Sequence, residues 1–128
     1  MDKVYENKKE VDINTFYLKK RISKKDKEGC STEEWGTGVP FVGEQWPASG
    51  KVQVQQYGDR LNYILNLKLD GAYQIIREKQ GASFDFGNDL VFREQDGICI
   101  FADEESGPDY RIIAIKPYRQ LKMELEKI

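Results

Sequence analysis

A small antiparallel β-barrel is the fold this sequence predicts, and three features of the chain point to it. Apolar and polar residues alternate over short runs, as in Phe16-Tyr17-Leu18-Lys19 and at the odd positions from Leu61 to Leu69, which is the period of a half-buried strand. Turn-forming pairs such as Asp70-Gly71 and Asp96-Gly97 separate these runs, as expected where one strand folds back on the next. No stretch sustains the 3.6-residue period of an amphipathic helix. Short strands joined by tight turns leave exposed edges, and closing the sheet into a barrel removes them.

The elements follow in order. Residues 1–14 are polar, with Val4, Tyr5, Val11 and Ile13 as their apolar members, and read as an N-terminal arm that orders only against another surface. The barrel domain is expected over 15–128. Phe16, Leu18 and Ile22 form the apolar side of a first strand, and the charged run Ser23 to Ser31, with Gly29 free to adopt positive φ, turns the chain toward Trp35. Six cations lie between Lys19 and Lys27, but Asp26 and Glu28 dilute them and no aromatic residue interleaves. A solvated hairpin tip is therefore favoured over a nucleic-acid contact.

Residues 36–50 hold four glycines and two prolines beside Val39, Phe41, Val42 and Trp46, which predicts an irregular second strand ending at Pro47. A polar insert over 47–61 follows and reads as a long working loop, because it exceeds what a hairpin turn needs. Strand alternation resumes from Leu61 to Leu69. Further strands are expected at Tyr73–Ile76, Asp89–Arg93, Ile98–Phe101 and Tyr110–Ile115, with a loop centred on Gly81 and a corner at Lys116-Pro117. The apolar run Ile98–Phe101 predicts a strand covered on both faces, with Cys99 a small core residue. Leu121, Met123 and Leu125 alternate with Lys122, Glu124 and Glu126 in a last element whose residues favour helix but whose period is that of a strand. The period decides for strand.

Composition narrows the function. Lysine and arginine total 20 against 22 acidic residues, a formal charge of −2, so no global field draws the chain to nucleic acid or to an anionic membrane. No window reaches the roughly 18 apolar residues of a membrane span, and the N-terminus lacks the apolar centre of a secretory signal. A cytosolic site of synthesis and assembly is expected. Histidine is absent, which removes the commonest general base and nitrogen ligand. Phosphate-cradling and calcium-loop motifs are missing too, and Cys30 and Cys99 lack metal-ligand spacing. Neither an enzyme nor a cofactor or metal protein is expected. Acidic groups such as Glu33-Glu34 and Asp103-Glu104-Glu105 sit in polar surroundings and read as solvated loop charge.

The segments Thr15-Phe-Tyr-Leu-Lys-Lys-Arg21, Trp46-Pro-Ala-Ser-Gly50, Tyr57-Gly-Asp-Arg-Leu61 and Asp109-Tyr-Arg-Ile-Ile-Ala-Ile-Lys-Pro-Tyr-Arg-Gln-Leu121, closed by Glu124-Leu-Glu-Lys127, occur in a particular order. In that layout, over 15–128, the chain resembles the head-closure or head-tail connector proteins in the neck of tailed bacteriophages, including those of PBSX-type defective prophages. The resemblance implies a β-barrel subunit of a virion, assembled in the bacterial cytoplasm. Six or twelve copies would form a ring between the portal or adaptor and the tail terminator or tail completion protein. It further implies that the matching insert reaches a lumen through which packaged double-stranded DNA passes, with Gln53, Gln55, Gln56, Tyr57, Asp59 and Arg60 as the channel-loop residues. Neutral amides with mixed charge would line such a conduit without gripping phosphate.

A ring needs two complementary patches on each subunit. Trp35, Phe41, Trp46 and Tyr118 are the interface candidates, with Tyr17 and Tyr110 beside them, since aromatic side chains anchor interfaces; each is equally compatible with a place in the core. Two other readings stand against the connector. An OB-like nucleic-acid-binding barrel would want a basic groove with aromatics on adjacent strands. A hydrolase using Asp and Glu alone would want two carboxylates converging in a cleft.

Overall fold

The computed structural model describes residues 13–79 and 81–128. Its centre is a closed antiparallel barrel of six strands, in the spatial order β1-β4-β5-β11-β10-β9. These are β1 (Ile13–Lys19), β4 (Val39–Pro47), β5 (Ile64–Leu69), β9 (Gly97–Cys99), β10 (Tyr110–Pro117) and β11 (Leu121–Lys127). Two smaller sheets lie outside it: a hairpin of β2 (Arg21–Lys25) and β3 (Ser31–Trp35), and a three-stranded sheet of β6 (Gln74–Glu78), β7 (Gly81–Asp85) and β8 (Val91–Phe92). The expected fold class, a small mainly β single-domain barrel, is the observed one.

Alternation sets which side chains face inward. On β11, Leu121, Met123 and Leu125 are fully buried and meet Leu69, Leu67 and Leu65 of β5 in register. Phe16, Leu18, Phe41, Ile98 and Ile112 complete the barrel core, and Phe84 and Phe92 extend it into the three-stranded sheet. Phe41 packs edge-on against Phe92 with ring centroids 5.1 Å apart. The final element is a strand because its leucines and methionine can enter this core only with period two. A register shift between Ile112 and Ala114 in the β10–β11 ladder turns Ile113 to the outside of the barrel, where it joins a second, smaller apolar cluster.

Several boundaries differ from the sequence expectation. The first 12 residues of the expected arm lie outside the described residues, whereas Ile13 and Asn14 already pair with Glu44 and Gly43 in β1. Gly81 begins β7 instead of centring a loop, since residues 81–85 pair with Gln74–Glu78 on one side. The expected strand at 98–101 is covered at Ile98, Cys99 and Ile100, but Phe101 is 73% exposed. Gly97 tolerates no side chain: an added Cβ would lie 2.4 Å from Pro108, which closes over β9. The greatest departure lies at 47–61, described next.

Candidate functional site

The insert is helical. Residues Gly50–Tyr57 form the one α-helix among the described residues, α1, and Gly58–Tyr63 continue as a 3-10 turn, so strand β5 starts at Ile64 and not at Leu61. Lys51-Val-Gln-Val-Gln-Gln-Tyr57 alternates like a strand, yet only a helix brings Gln53 and Tyr57 onto one face, where both reach Glu124. Ser49 is extended at the N-cap and donates its backbone N–H to Gln53 Oε1 at 2.9 Å, a variant of capping in which a side chain of the first turns reaches back to the cap. Gly58, at φ 54°, lets the chain leave α1 through a left-handed residue.

One face of α1 is fastened to the outer wall of the barrel. Gln53 and Tyr57, four residues apart, share that face. Gln53 donates through Nε2 to Asn66 of β5 (2.6 Å) and to Glu124 of β11 (2.7 Å). The Tyr57 hydroxyl donates to the other Glu124 oxygen at 2.6 Å. Beneath them Ala48, Tyr57 and Ile64 are buried, with Leu61 and Ile113 packed beside. Glu124 lies on the outward side of β11 and is nevertheless 2% exposed, because α1 covers it. Lys116 of β10 adds a longer ion pair at 3.4 Å. Farther along, Arg60 grips Glu126 with two hydrogen bonds, 2.8 and 2.7 Å, and its guanidinium lies 5.6 Å from the centre of the Tyr57 ring.

Electrostatics follow from these contacts. Burial by itself raises the Glu124 pKa, but hydrogen bonds from Tyr57 and Gln53 and the charge of Lys116 outweigh it, and the carboxyl ends below its ordinary value. Burial, then the hydrogen bond to the Glu124 carboxylate, pushes the Tyr57 phenol well above its ordinary value. The cluster is a charged acceptor held by matched donors. It acts as a lock between helix and wall.

The six channel-loop residues therefore separate into two groups. Gln53, Tyr57 and Arg60 are bonded to their own barrel, so the insert is a fastened helix where the sequence predicts a long loop: burying Tyr57 over Ile64 and satisfying Glu124 outweighs leaving them in water. Gln55, Gln56 and Asp59 are exposed. Val52 and Val54, 72% and 49% exposed, stand about 200° apart around α1 and flank the fastened face on its two sides, and Tyr63 of the 3-10 turn is 55% exposed. Glu124, Asn66 and Lys116 were not singled out in the sequence. The i,i+4 pair Gln53/Tyr57 was the signal for the helix face.

The aromatic candidates are divided as well. Phe41 is 6% exposed at the centre of the core, and Tyr110 is also buried, so neither is a surface anchor; strand alternation on β4 and β10 turns them inward. Tyr17 is half-buried. Trp35 is half-buried at the end of β3, with the Arg111 guanidinium 5.8 Å from its ring centre. Trp46 is half-buried on the outside of β4, with Lys68 and Lys122 at 5.9 and 5.5 Å. Tyr118 is exposed. At the hairpin tip, Asp26, Glu28 and Cys30 bring ligand-type atoms within 4.8 Å of one another, but the Asp26 carboxylate is already accepting the backbone N–H groups of Glu28 and Cys30. That arrangement builds the turn.

No protein-family model, curated protein or solved structure matches this chain.

Proposed function

We propose that the chain is a head-closure or head-tail connector subunit in the neck of a tailed bacteriophage or phage-like particle. Six or twelve copies form a ring between the portal or adaptor and the tail terminator or tail completion protein, and α1 with its 3-10 turn borders the DNA passage. The supporting observation is the two-sided insert. One face is locked to the barrel through Glu124, and the rest of the insert leaves Val52 and Val54, on the two flanks of that face, and Tyr63 open to solvent with Gln55 and Gln56. A neighbour in a ring would bury apolar surface of Val52, Val54 and Tyr63 that the single copy leaves in water.

The same open surface suits a DNA passage. Two amides, Asp59 and Lys51 give almost no net charge there, so duplex phosphate is neither captured nor strongly repelled. Repetition around a ring multiplies weak contacts into a barrier. The role is mechanical, with no catalytic step, and the locked base of the helix gives each copy a fixed geometry.

Particles assembled without this protein are the test. The expected result is heads that lose DNA and carry no tails in negative-stain images. Tailed, DNA-filled particles would overturn the proposal, and retardation of single-stranded DNA by a monomer would favour the OB-like barrel instead.

A further inference from the structure

Two charged features of opposite sign occupy opposite corners of the molecule. Lys68 of β5, Lys122 of β11 and Lys116 of β10 stand directly opposite one another in register, forming one row on the outside of the barrel. Like charges facing across a ladder are destabilising. Two members are already paired: Glu44 stands directly opposite Lys68 on β4 and meets it at 3.6 Å, and Lys116 meets Glu124 at 3.4 Å. Lys122 has no carboxylate within ion-pair distance among the described residues and lies over the Trp46 ring, as Lys68 does. A row of three lysines beside a half-buried tryptophan is a surface prepared for an anionic, partly aromatic occupant.

The chain itself carries such a group. The turn after β9 holds Phe101, 73% exposed, followed by exposed Asp103, Glu104 and Glu105. It is a fixed feature: the Asp109 carboxylate accepts the backbone N–H groups of Ile100 and Phe101 at 2.8 and 2.9 Å, and Asp103 accepts from both the backbone and hydroxyl of Ser106. In the closed order β1-β4-β5-β11-β10-β9, strand β9 lies three positions from β5 and two from β11 but is next to β10, so its separation from Lys116 runs along the strands. The turn also leaves at the Tyr110 end of β10, while the lysine row lies toward its Pro117 end. A molecule cannot bring its own turn onto its own lysine row.

We propose that the acidic turn 101–105 of one copy docks on Lys68, Lys122, Lys116 and Trp46 of the next. Three carboxylates meet three ammonium groups, and the Phe101 ring lies against Trp46. The contact joins two different patches at opposite poles of each protomer, which is the head-to-tail geometry that a ring requires. The inference rests on the ring reading above and names the surfaces that build it.

Charge exchange tests this on the full chain, kept reduced so that exposed Cys30 forms no disulfide. Sedimentation is followed up to millimolar protein in low salt. One variant is Lys68→Glu with Lys122→Glu, and the other is Glu104→Lys with Glu105→Lys, each first shown to melt like the parent. Each variant alone is expected to associate at least about tenfold more weakly than the parent. A mixture of the two is expected to associate again, because each then supplies the surface complementary to the other's. High salt, about 1 M, should weaken all of these contacts.

A parent that stays monomeric under these conditions, variants that associate like the parent, or a mixture that fails to recover would each overturn the proposal. Should the lysine variant fold poorly, the turn variant alone decides it, since its substitutions are on exposed positions. If the lysine variant instead loses retardation of duplex DNA while association is unchanged, nucleic acid is the occupant and the docking of copies is wrong. Such a failure leaves the neck reading standing, because that reading is judged on particles and not on association in solution.

Discussion

The helix α1 and the β2–β3 hairpin both stand outside the barrel, and they are held in opposite ways. The hairpin is built from its own neighbours: Arg21–Lys25 pairs with Ser31–Trp35, and Asp26 closes the turn with two backbone hydrogen bonds. Only its root is fastened, where Asp96 accepts from the Arg21 backbone and Glu33 pairs with Arg111. The helix has little strength of its own, being eight residues long with two valines and a glycine. Its hold comes from Asn66, Glu124 and Glu126, all on the barrel wall. A locally made projection keeps its shape and leaves its surface bare, whereas a remotely held one depends on acceptors of the wall beneath it, with Glu124 taking the most donors.

The largest break in this comparison is Glu124→Ala. It leaves Tyr57, Gln53 and Lys116 without their common acceptor, and the Tyr57 hydroxyl among them is buried. The expected loss is roughly 2–4 kcal/mol in denaturant unfolding, with new proteolytic cleavage between residues 50 and 63. Loss of stability without new cleavage there would mean that α1 is held by something other than Glu124.

Acid provides the next effect. The folded Glu124 pKa lies below its ordinary value of 4.5, so its contribution is complete above that value and disappears as pH falls through the lowered folded one. Stability should therefore drop in acid below about pH 4.5, and Glu124→Gln should flatten that limb. If the variant retains the parent's acid slope, other carboxylates such as Glu126 carry it.

A smaller change sharpens the picture. Tyr57→Phe keeps the ring over Ile64 and removes one hydrogen bond, for an expected cost of about 1 kcal/mol, read by thermal unfolding. Least of all should be Asp26→Ala: global stability is unchanged within error, while amide exchange at Glu28 and Cys30 rises. A global loss there would show that the hairpin supports the barrel.

The same contrast explains what could be read in advance. Strands β1 and β11 were legible because Phe16 and Leu18, or Leu121, Met123 and Leu125, announce their inward face by alternation alone. The hairpin was legible because Gly29 and its charged tip are local signals. Helix α1 was not. Val52 and Val54 mimic a strand, and the partner that settles the matter, Glu124, lies 67 residues from Tyr57. Burial of Glu124 was hidden for the same reason, since on β11 it alternates outward exactly where a solvated residue belongs. Phe41 was ambiguous because a strand rich in glycine and proline gives its alternation no clean phase.

The two cysteines differ in a way that chemistry can use. Cys99 is buried beneath the turn after β9, and burial raises its thiol pKa, whereas Cys30 is exposed at the tip of the hairpin. A maleimide reagent needs thiolate and access, so it should modify Cys30 and spare Cys99. A dye placed there would sit on the hairpin turn, outside the barrel, and energy transfer between labelled copies would measure their spacing without a single substitution.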